Sequence, residues 1–276
     1  MTRFLLLALL LVSSTASAIV IRDDVHDSKY RVSASAFPAL VDLPHEGHGV
    51  LIAPQWVVTG AHAVTWRSEL KQVVLDGTPR DVERLVVHPG FKELPHDLMQ
   101  QARATGDATL VMALFATLDD IALIKLTKPV TDVAPASVYR SSAQVGQAIK
   151  FLGNGLTGTG ASGHASPGDP RRKQLRRAFN KITSAHDRWF CYVFDKPPSA
   201  LPLEGVATDG DSGGPVLVEV DGQWMLTGLT SWKVVQGEAV QGNAAVFRPG
   251  RYGQIMCNVN LNHYINWIES VIHAKP

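Results

Sequence analysis

The chain has 276 residues, of which 45% are hydrophobic and 18% are charged, and its formal net charge is +1. This composition is that of a globular protein and excludes a disordered chain. The balanced charge gives no indication of nucleic acid or an anionic membrane as a partner. A chain of this length fits one large domain, since all-β barrels of roughly 200–250 residues fold as single units.

Residues 1–18 predict a secretory signal peptide. Arg3 supplies a positive start, residues 4–12 form an apolar run, and Ala16-Ser17-Ala18 is a small-residue cleavage site. The run is too short to cross a bilayer as a helix, which takes about 20 residues. We therefore expect a mature chain that begins at Ile19, is secreted or periplasmic, and is not held in a membrane.

The rest of the chain predicts an all-β protein that ends in a helix. Short apolar runs bounded by Gly, Pro and Asp recur at strand-like spacing, at residues 50–52, 56–58, 72–75, 85–87, 121–124 and 190–194. The pair Asp221-Gly222 between two apolar runs predicts a hairpin with a two-residue turn. The last segment changes period, and its apolar residues share one helical face: Tyr264, Trp267, Ile268, Val271 and Ile272.

The segment Gly210-Asp211-Ser212-Gly213-Gly214-Pro215 indicates a serine nucleophile. Its glycines allow the backbone to approach a substrate where a Cβ would collide. The N–H groups of Gly210 and Ser212 are candidates for an oxyanion hole, which binds the oxygen of a tetrahedral intermediate.

A serine nucleophile needs a base, and the base needs a group that orients it. His62 lies in Val57-Val58-Thr59-Gly60-Ala61-His62-Ala63, and Asp120 begins Asp120-Ile121-Ala122-Leu123-Ile124-Lys125-Leu126. Each follows or precedes an apolar run, as expected at the end of a buried strand. We therefore predict that His62, Asp120 and Ser212 meet in a catalytic triad.

These three segments, in the order His, Asp, Ser, resemble the trypsin-like, chymotrypsin-fold serine endopeptidases. The resemblance implies an all-β fold of two packed six-stranded antiparallel β-barrels with a C-terminal α-helix, the N-terminal barrel at about 19–140 and the C-terminal barrel at about 141–276. It implies Ser212 as nucleophile, His62 as general base and then acid, and Asp120 as the residue that holds the imidazole. Protein or peptide substrates, a monomer, and neither a cofactor nor a metal are expected.

The resemblance also gives Ile19 and Asp211 a role. In such proteases a freed Ile-Val terminus folds inward, and its α-ammonium pairs with the carboxylate before the nucleophile, here Asp211. Signal cleavage before Ile19 would itself produce that terminus, which predicts a protease without a separate zymogen step. Ile21-Arg22 departs from the two glycines that usually follow.

The resemblance also implies a specificity pocket at five positions, which are Val206, Ser231, Trp232, Lys233 and Gly250. Val206 stands where an aspartate sits in enzymes that cut after Lys or Arg, so we expect cleavage elsewhere, after small or medium apolar residues. Lys233 replaces a glycine of the pocket wall and could narrow the pocket, although the usual expectation is an ammonium in solvent. Ser231 is expected to help orient Asp120.

Three further matters are open from the sequence. The chain is longer than the family's usual length between Phe91 and Asp120, which fits either a substrate-binding segment or a packed surface helix. Only Cys191 and Cys257 occur, which suggests a microbial, cysteine-poor branch, and their pairing cannot be read from the sequence.

A catalytically silent, protease-like binding protein is the alternative function, because Arg22 and Lys233 could deform or block the site.

A nucleophile elbow of the α/β-hydrolase type also fits residues 210–214, but that fold needs a later Asp and His and βαβ alternation, which the sequence lacks. His45-Glu46-Gly47-His48 has one residue too few for a zinc-binding helix, so no metal site is expected there.

Overall fold

A computed structural model describes residues 19–44, 47–65, 69–105, 107, 109–164, 174–234, 238–240, 243–246 and 249–274. The predicted signal peptide lies outside these residues. Six antiparallel strands close the first barrel in the order β2-β3-β4-β7-β6-β5. They are β2 (Leu40–Asp42), β3 (His48–Ala53), β4 (Trp56–Thr59), β5 (Gln72–Leu75), β6 (Thr78–Val87) and β7 (Ala122–Leu126).

The second barrel closes in the order β11-β12-β18-β15-β14-β8, and its strands are also antiparallel. They are β8 (Ala148–Gly153), β11 (Arg176–Ala185), β12 (Trp189–Val193), β14 (Pro215–Val220), β15 (Gln223–Lys233) and β18 (Ile255–Asn260). The predicted hairpin is confirmed: Val220 pairs with Gln223, and both Asp221 and Gly222 have positive φ, as a type I′ turn requires.

Four short strands form a separate sheet in the order β10-β9-β1-β13. They are β1 (Ile19–Ile21), β9 (Thr157–Thr159), β10 (Gly163–His164) and β13 (Gly205–Val206). The first described strand therefore pairs with segments from the C-terminal half of the chain. A further pair, β16 (Glu238–Val240) and β17 (Asn243–Val246), is antiparallel.

The helices are α1 (His62–Thr65), α2 (His96–Thr105), α3 (Thr109–Phe115) and α4 (Leu261–Ile272). Two short 3-10 turns, Asp27–Lys29 and Ala34–Ala36, follow β1. Helix α4 buries Leu261, Tyr264 and Ile268, so the predicted apolar face packs on the barrels. Two closed six-stranded barrels with a C-terminal helix confirm the predicted fold.

The apolar core has two parts. One fills the first barrel and continues between the barrels and under α4, with Val58 of the first barrel, Leu229 of the second and Ile268 of α4 among its members. The other lies in the second barrel and extends to β1, and it includes Phe151 and Ile19. Cys191 and Cys257 are cross-strand neighbours on β12 and β18 and form a disulfide.

Candidate functional site

His62 and Asp120 meet at one edge of the first barrel. His62 begins α1 just after β4, and Asp120 lies two residues before β7, which pairs with β4. The Asp120 carboxylate accepts hydrogen bonds from both the backbone N–H of His62, at 2.8 Å, and its ring Nδ1, at 2.7 Å. Two contacts to one carboxylate fix the imidazole in position and orientation, with Nδ1 as the protonated nitrogen.

The buried Asp120 carboxylate has a third donor, the hydroxyl of Ser231 on β15. Burial by itself raises the pKa of a carboxyl, but the charge of His62 and the hydrogen bonds from His62 and Ser231 outweigh it. They hold the pKa of Asp120 below its usual value. Asp120 therefore stays ionised, and it favours a protonated imidazole beside it.

Ser212 lies on the turn that leads from β13 into β14, in the second barrel. Its carbonyl accepts the N–H of His48 on β3 at 2.7 Å, which ties this turn to the first barrel. Gly213 has φ +72°, and a Cβ there would lie 2.3 Å from both the carbonyl oxygen of His48 and the hydroxyl of Thr59. Only glycine fits this position without displacing β3.

The amide groups expected to form an oxyanion hole are those of Gly210 and Ser212. Gly210 has φ +96°, and its N–H and that of Ser212 donate to no acceptor within the described part of the chain. The neighbouring N–H groups of Asp211 and Gly213 instead donate hydrogen bonds to the carbonyl oxygens of Thr208 and Thr230, respectively. Two adjacent donors are thus left for a ligand.

Ser212 and His62 line the same cavity, which has a volume of about 650 Å³. Ser231, Trp232 and Lys233 of β15 form one wall. The three residues expected to carry catalysis therefore lie around one cleft between the barrels, with Asp120 behind His62 and the other two facing the cavity.

Asp211 is buried beside this turn. Its carboxylate accepts the N–H groups of Gly155 and Thr208, each at 2.9 Å. Burial raises the pKa of Asp211 to about 6, although the charge of His48 and the two amide donors lower it. Gly155 and Gly153 make room for this carboxylate, because a Cβ on either would lie within 2.8 Å of its Oδ1 atom.

Ile19 is fully buried in β1, where it pairs with Thr157 of β9, while its neighbour Val20 pairs with Val206 of β13. Arg22 does not disturb this strand. Its guanidinium turns back to Asp24 and donates to the carbonyl of Leu201 at 2.6 Å. At the Ile21-Arg22 departure, Ile21 is therefore buried in β1 and the guanidinium of Arg22 is held by partners outside the strand.

Two residues of the expected pocket do not line the cavity. Val206 is fully buried and is not among the residues that line it. Gly250 also lies outside the lining, and a Cβ there would touch Val20 and the amide nitrogen of His164. Met256 of β18 lines the cavity instead, which the sequence did not reveal because only the pairing of β18 with β15 brings it there.

Lys233 does line the cavity, and its ammonium is held in an ion pair. It donates to the carboxylate of Asp209, which lines the same cavity. Burial alone would raise the pKa of Asp209, yet the charge of Lys233 and its hydrogen bond hold it below the usual value. An ion pair between β15 and the turn before Ser212 therefore lies in the lining of the cavity.

The segment between Phe91 and Asp120 forms α2 and α3, and it contributes Met99, Val111, Met112 and Phe115 to the cavity lining. The segment therefore borders the cavity and also lies at the surface, where Leu110 of α3 is 64% exposed. Its last turn is anchored by Trp189, whose indole N–H donates to the carbonyl of Ala116 at 3.1 Å.

Asp119, next to Asp120, holds a second polar cluster that sequence reasoning missed. Its Oδ1 accepts from Arg188 at 2.7 Å and from the hydroxyl of Tyr264 at 2.9 Å, and His88 Nδ1 lies 3.4 Å from Oδ2. Burial would raise the pKa of Asp119, but Arg188 and Tyr264 hold it low. The cluster ties α4 and the start of β12 to the residue beside Asp120.

Among the residues that the structure describes, no group of three or more His, Cys, Asp or Glu side chains is placed to hold a metal ion. Nor does any helix in the same residues have the length and apolar character to cross a bilayer.

Comparisons of the sequence and the fold with known proteins all find trypsin-like serine proteases. The family model Trypsin matches residues 27–252. Trypsin of Sus scrofa is 30% identical over 269 residues, covering 92% of this chain and 98% of that protein. A solved structure of neuropsin, a serine protease expressed in the limbic system of mouse brain, has a TM-score of 0.60 at 20% identity and covers 88% of this chain and 98% of its own.

The expectation of a microbial, cysteine-poor branch is not supported, because the two cysteines of the chain form a disulfide. The family model matches most of the chain, and the sequence and fold of known members agree with it. The chain belongs to the trypsin family of serine endopeptidases.

Proposed function

We propose that this protein is an exported serine endopeptidase that cleaves peptide bonds through Ser212, His62 and Asp120. The observation that carries the proposal is the double hydrogen bond from His62 to a buried, ionised Asp120. That arrangement supports His62 as the base, and the proposed proton donor is the hydroxyl of Ser212, which lines the same cavity.

In the proposed reaction, Ser212 Oγ attacks the substrate carbonyl carbon while His62 Nε2 takes the hydroxyl proton. Asp120 stabilises the imidazolium, and the N–H groups of Gly210 and Ser212 donate to the oxyanion. His62 then gives the proton to the leaving amine as the C–N bond breaks, which leaves an acyl-enzyme. Water attacks the acyl group, His62 takes the water's proton, and the same proton returns to Ser212 as the acid leaves.

Cleavage after Lys or Arg is not expected. Val206 brings no counter-charge, and the carboxylate of Asp209 is already paired with Lys233. A substrate guanidinium would have to be buried without a partner or compete with an internal ammonium, and an unpaired buried charge costs several kcal/mol. A peptide series that differs only in the residue before the scissile bond tests this, and faster turnover after Arg than after Ala, Val, Leu or Phe would refute it.

Export and activation are proposed together. The support is the small-residue cleavage site before Ile19, the burial of Ile19 in β1, and the buried Asp211 carboxylate, to which no cation of the described residues is ion-paired. Removal of residues 1–18 would create an α-ammonium at Ile19 that can supply the missing charge.

Intact mass before and after a fluorophosphonate tests these points in one experiment. A chain that starts at Ile19 and gains one adduct supports the proposal, provided that Ser212→Ala abolishes labelling and the exposed Ser199→Ala does not. A chain that starts at Ile19 and takes no label would favour the alternative, a silent binding protein. The observation behind that alternative is the Lys233–Asp209 ion pair, which lines the cavity beside Ser212.

A further inference from the structure

The residues just before Ser212 form a tight turn. The N–H of Asp211 donates to the carbonyl oxygen of Thr208 at 3.0 Å, so Asp209 and Gly210 occupy the two central positions. Gly210 has φ +96°, the sign that a type II turn requires at its second central position. A type I turn keeps the same closing hydrogen bond but has negative φ there, and its central peptide group is turned over. The turn therefore has two ways to orient the peptide between Asp209 and Gly210.

This orientation decides where the N–H of Gly210 points. In a trans peptide group the carbonyl and the N–H point in opposite directions. The Asp209 carbonyl accepts the N–H of Leu156 at 2.7 Å, so the Gly210 N–H is directed away from Leu156. Glycine adopts positive and negative φ about equally readily, so Gly210 itself does not select this orientation. The contacts that hold Asp209 must select it.

The side chain of Asp209 supplies a second restraint on the same residue. Its carboxylate accepts a hydrogen bond from the ammonium of Lys233, and Nε2 of His164 on β10 lies 3.6 Å from the other carboxylate oxygen. The Lys233 and Asp209 side chains are 21% and 45% exposed, so the ion pair is partly shielded from water. Lys233 lies on β15, where it pairs with Met256 of β18. Asp209 is thus held both by its carbonyl and by its carboxylate.

We propose that Lys233 is a positioning residue for the proposed reaction. Through its ion pair with Asp209, it holds the Asp209–Gly210 peptide in the orientation that leaves the Gly210 N–H available to the oxyanion. The inference rests on the proposed function, because an oxyanion forms only if Ser212 attacks a carbonyl. The ion pair then serves the reaction, and removing the ammonium weakens the stabilisation of the oxyanion instead of unblocking the cavity.

Three variants test this role on a peptide with Ala before the scissile bond. Lys233→Met removes the ammonium, Lys233→Arg keeps a charge, and Lys71→Met is the matched control, because the side chains of its ion pair with Glu69 are 78% and 80% exposed. We expect Lys233→Met to lower kcat about tenfold with little change in KM, as for an interaction made in the transition state. Deleting an oxyanion donor outright costs about a hundred- to thousandfold, whereas here the donor remains but is less well held.

Lys233→Arg should recover most of kcat, and Lys71→Met should match the parent. An unchanged kcat in Lys233→Met would overturn the proposal. A higher kcat/KM in Lys233→Met would also overturn it, and would show that the ion pair obstructs the cavity.

Two ligands distinguish positioning of the oxyanion donor from general damage to the cavity. Ser212 Oγ adds to the carbonyl carbon of a peptide aldehyde, the hydroxyl proton passes to His62, and the π electron pair of the carbonyl moves onto its oxygen. The matching peptide alcohol has no carbonyl and forms no adduct. We expect Lys233→Met to raise the Ki of the aldehyde about tenfold and to leave that of the alcohol unchanged. An equal rise for both ligands would show that Lys233 only shapes the cavity, which would overturn the proposal.

Asp209→Asn tests whether Lys233 acts through Asp209. If it does, Lys233→Met should lower kcat little further in the Asp209→Asn background. Losses that multiply would show that the two residues act independently, and would overturn the ion pair as the cause.

The parent protein separates this inference from the proposed function. A parent that takes no fluorophosphonate label and cleaves no peptide would refute hydrolysis, and the role of Lys233 with it. A labelled, active parent with an equally active Lys233→Met variant would refute the role of Lys233 alone.

Discussion

Asp211→Asn should raise the unfolding free energy of the uncleaved chain relative to the parent, and this gain should be larger near neutral pH than at pH 4. The carboxylate of Asp211 is buried with two amide donors but no ion-pair partner in the described part of the chain, and burial raises its pKa to about 6. In the unfolded chain the pKa of an aspartate is about 3.9. The folded state therefore binds the proton more tightly than the unfolded state does.

The sign of the effect follows from this difference. Below about pH 4 the carboxyl is protonated in both states and costs nothing, whereas above about pH 6 it is ionised in both, and the folded state carries the full cost of burying the charge. A pKa difference of about 2 units corresponds to about 3 kcal/mol of unfolding free energy, which is lost as the pH rises from about 4 to 6. Asp211→Asn removes this loss and adds a pH-independent change from its altered hydrogen bonds.

The assay is urea unfolding at several pH values between 4 and 7.5 for Ser212→Ala protein with and without Asp211→Asn. The Ser212→Ala background prevents self-digestion, and the exposed Asp76→Asn reports the effect of removing a negative charge from the surface. We expect the stability advantage of the asparagine variant to grow by about 3 kcal/mol over this pH range. A difference that stays constant with pH would show that the buried carboxylate is not destabilised and would refute the reasoning.

The same measurement on a chain that begins at Ile19 probes activation. If the α-ammonium pairs with Asp211, the pKa of the carboxyl falls and the pH-dependent advantage of asparagine disappears or reverses. If the advantage persists unchanged, the terminus does not reach Asp211, and activation by signal cleavage is refuted.

Three further changes have defined outcomes. Ser231→Ala removes a donor to the Asp120 carboxylate, so kcat should fall by about tenfold with little change in KM, and an unchanged kcat would contradict the orienting role. Reduction of the Cys191–Cys257 disulfide, which closes a loop of 66 residues, should lower the unfolding free energy by about 4 kcal/mol, measured as a shift of the denaturant midpoint. Gly213→Ala should abolish fluorophosphonate labelling, because its Cβ would lie 2.3 Å from a carbonyl oxygen of β3, and full labelling would show that the turn can relax.

The fold could be predicted from the sequence where local chemistry decides the local structure. Asp221-Gly222 predicts a two-residue turn because both positions need positive φ, and the structure has that turn. The helical face that includes Tyr264 and Ile268 is visible from its period alone, and both are buried. The candidate triad of His62, Asp120 and Ser212 was likewise predicted from three local segments of characteristic sequence, and its catalytic role stays a prediction.

The pairing of the two cysteines could not be predicted in the same way. Cys191 and Cys257 are neighbours only because β12 and β18 pair in one register of a closed barrel. A shift of one residue in that register would turn the two side chains to opposite faces of the sheet. Nothing within either strand specifies the register of the other.

The cavity beside the candidate catalytic residues could not be predicted for the same physical reason, although the candidate residues themselves could. A catalytic side chain must sit on a strand end or a tight turn with unusual backbone geometry, which needs glycines and buried strands as immediate neighbours in the chain. A binding cavity has no such local requirement. Met256, Phe115 and Lys233 come from three different elements and line one cavity only in the folded chain. Substitutions of residues that line the cavity should therefore alter substrate choice while the His62–Asp120 geometry is kept.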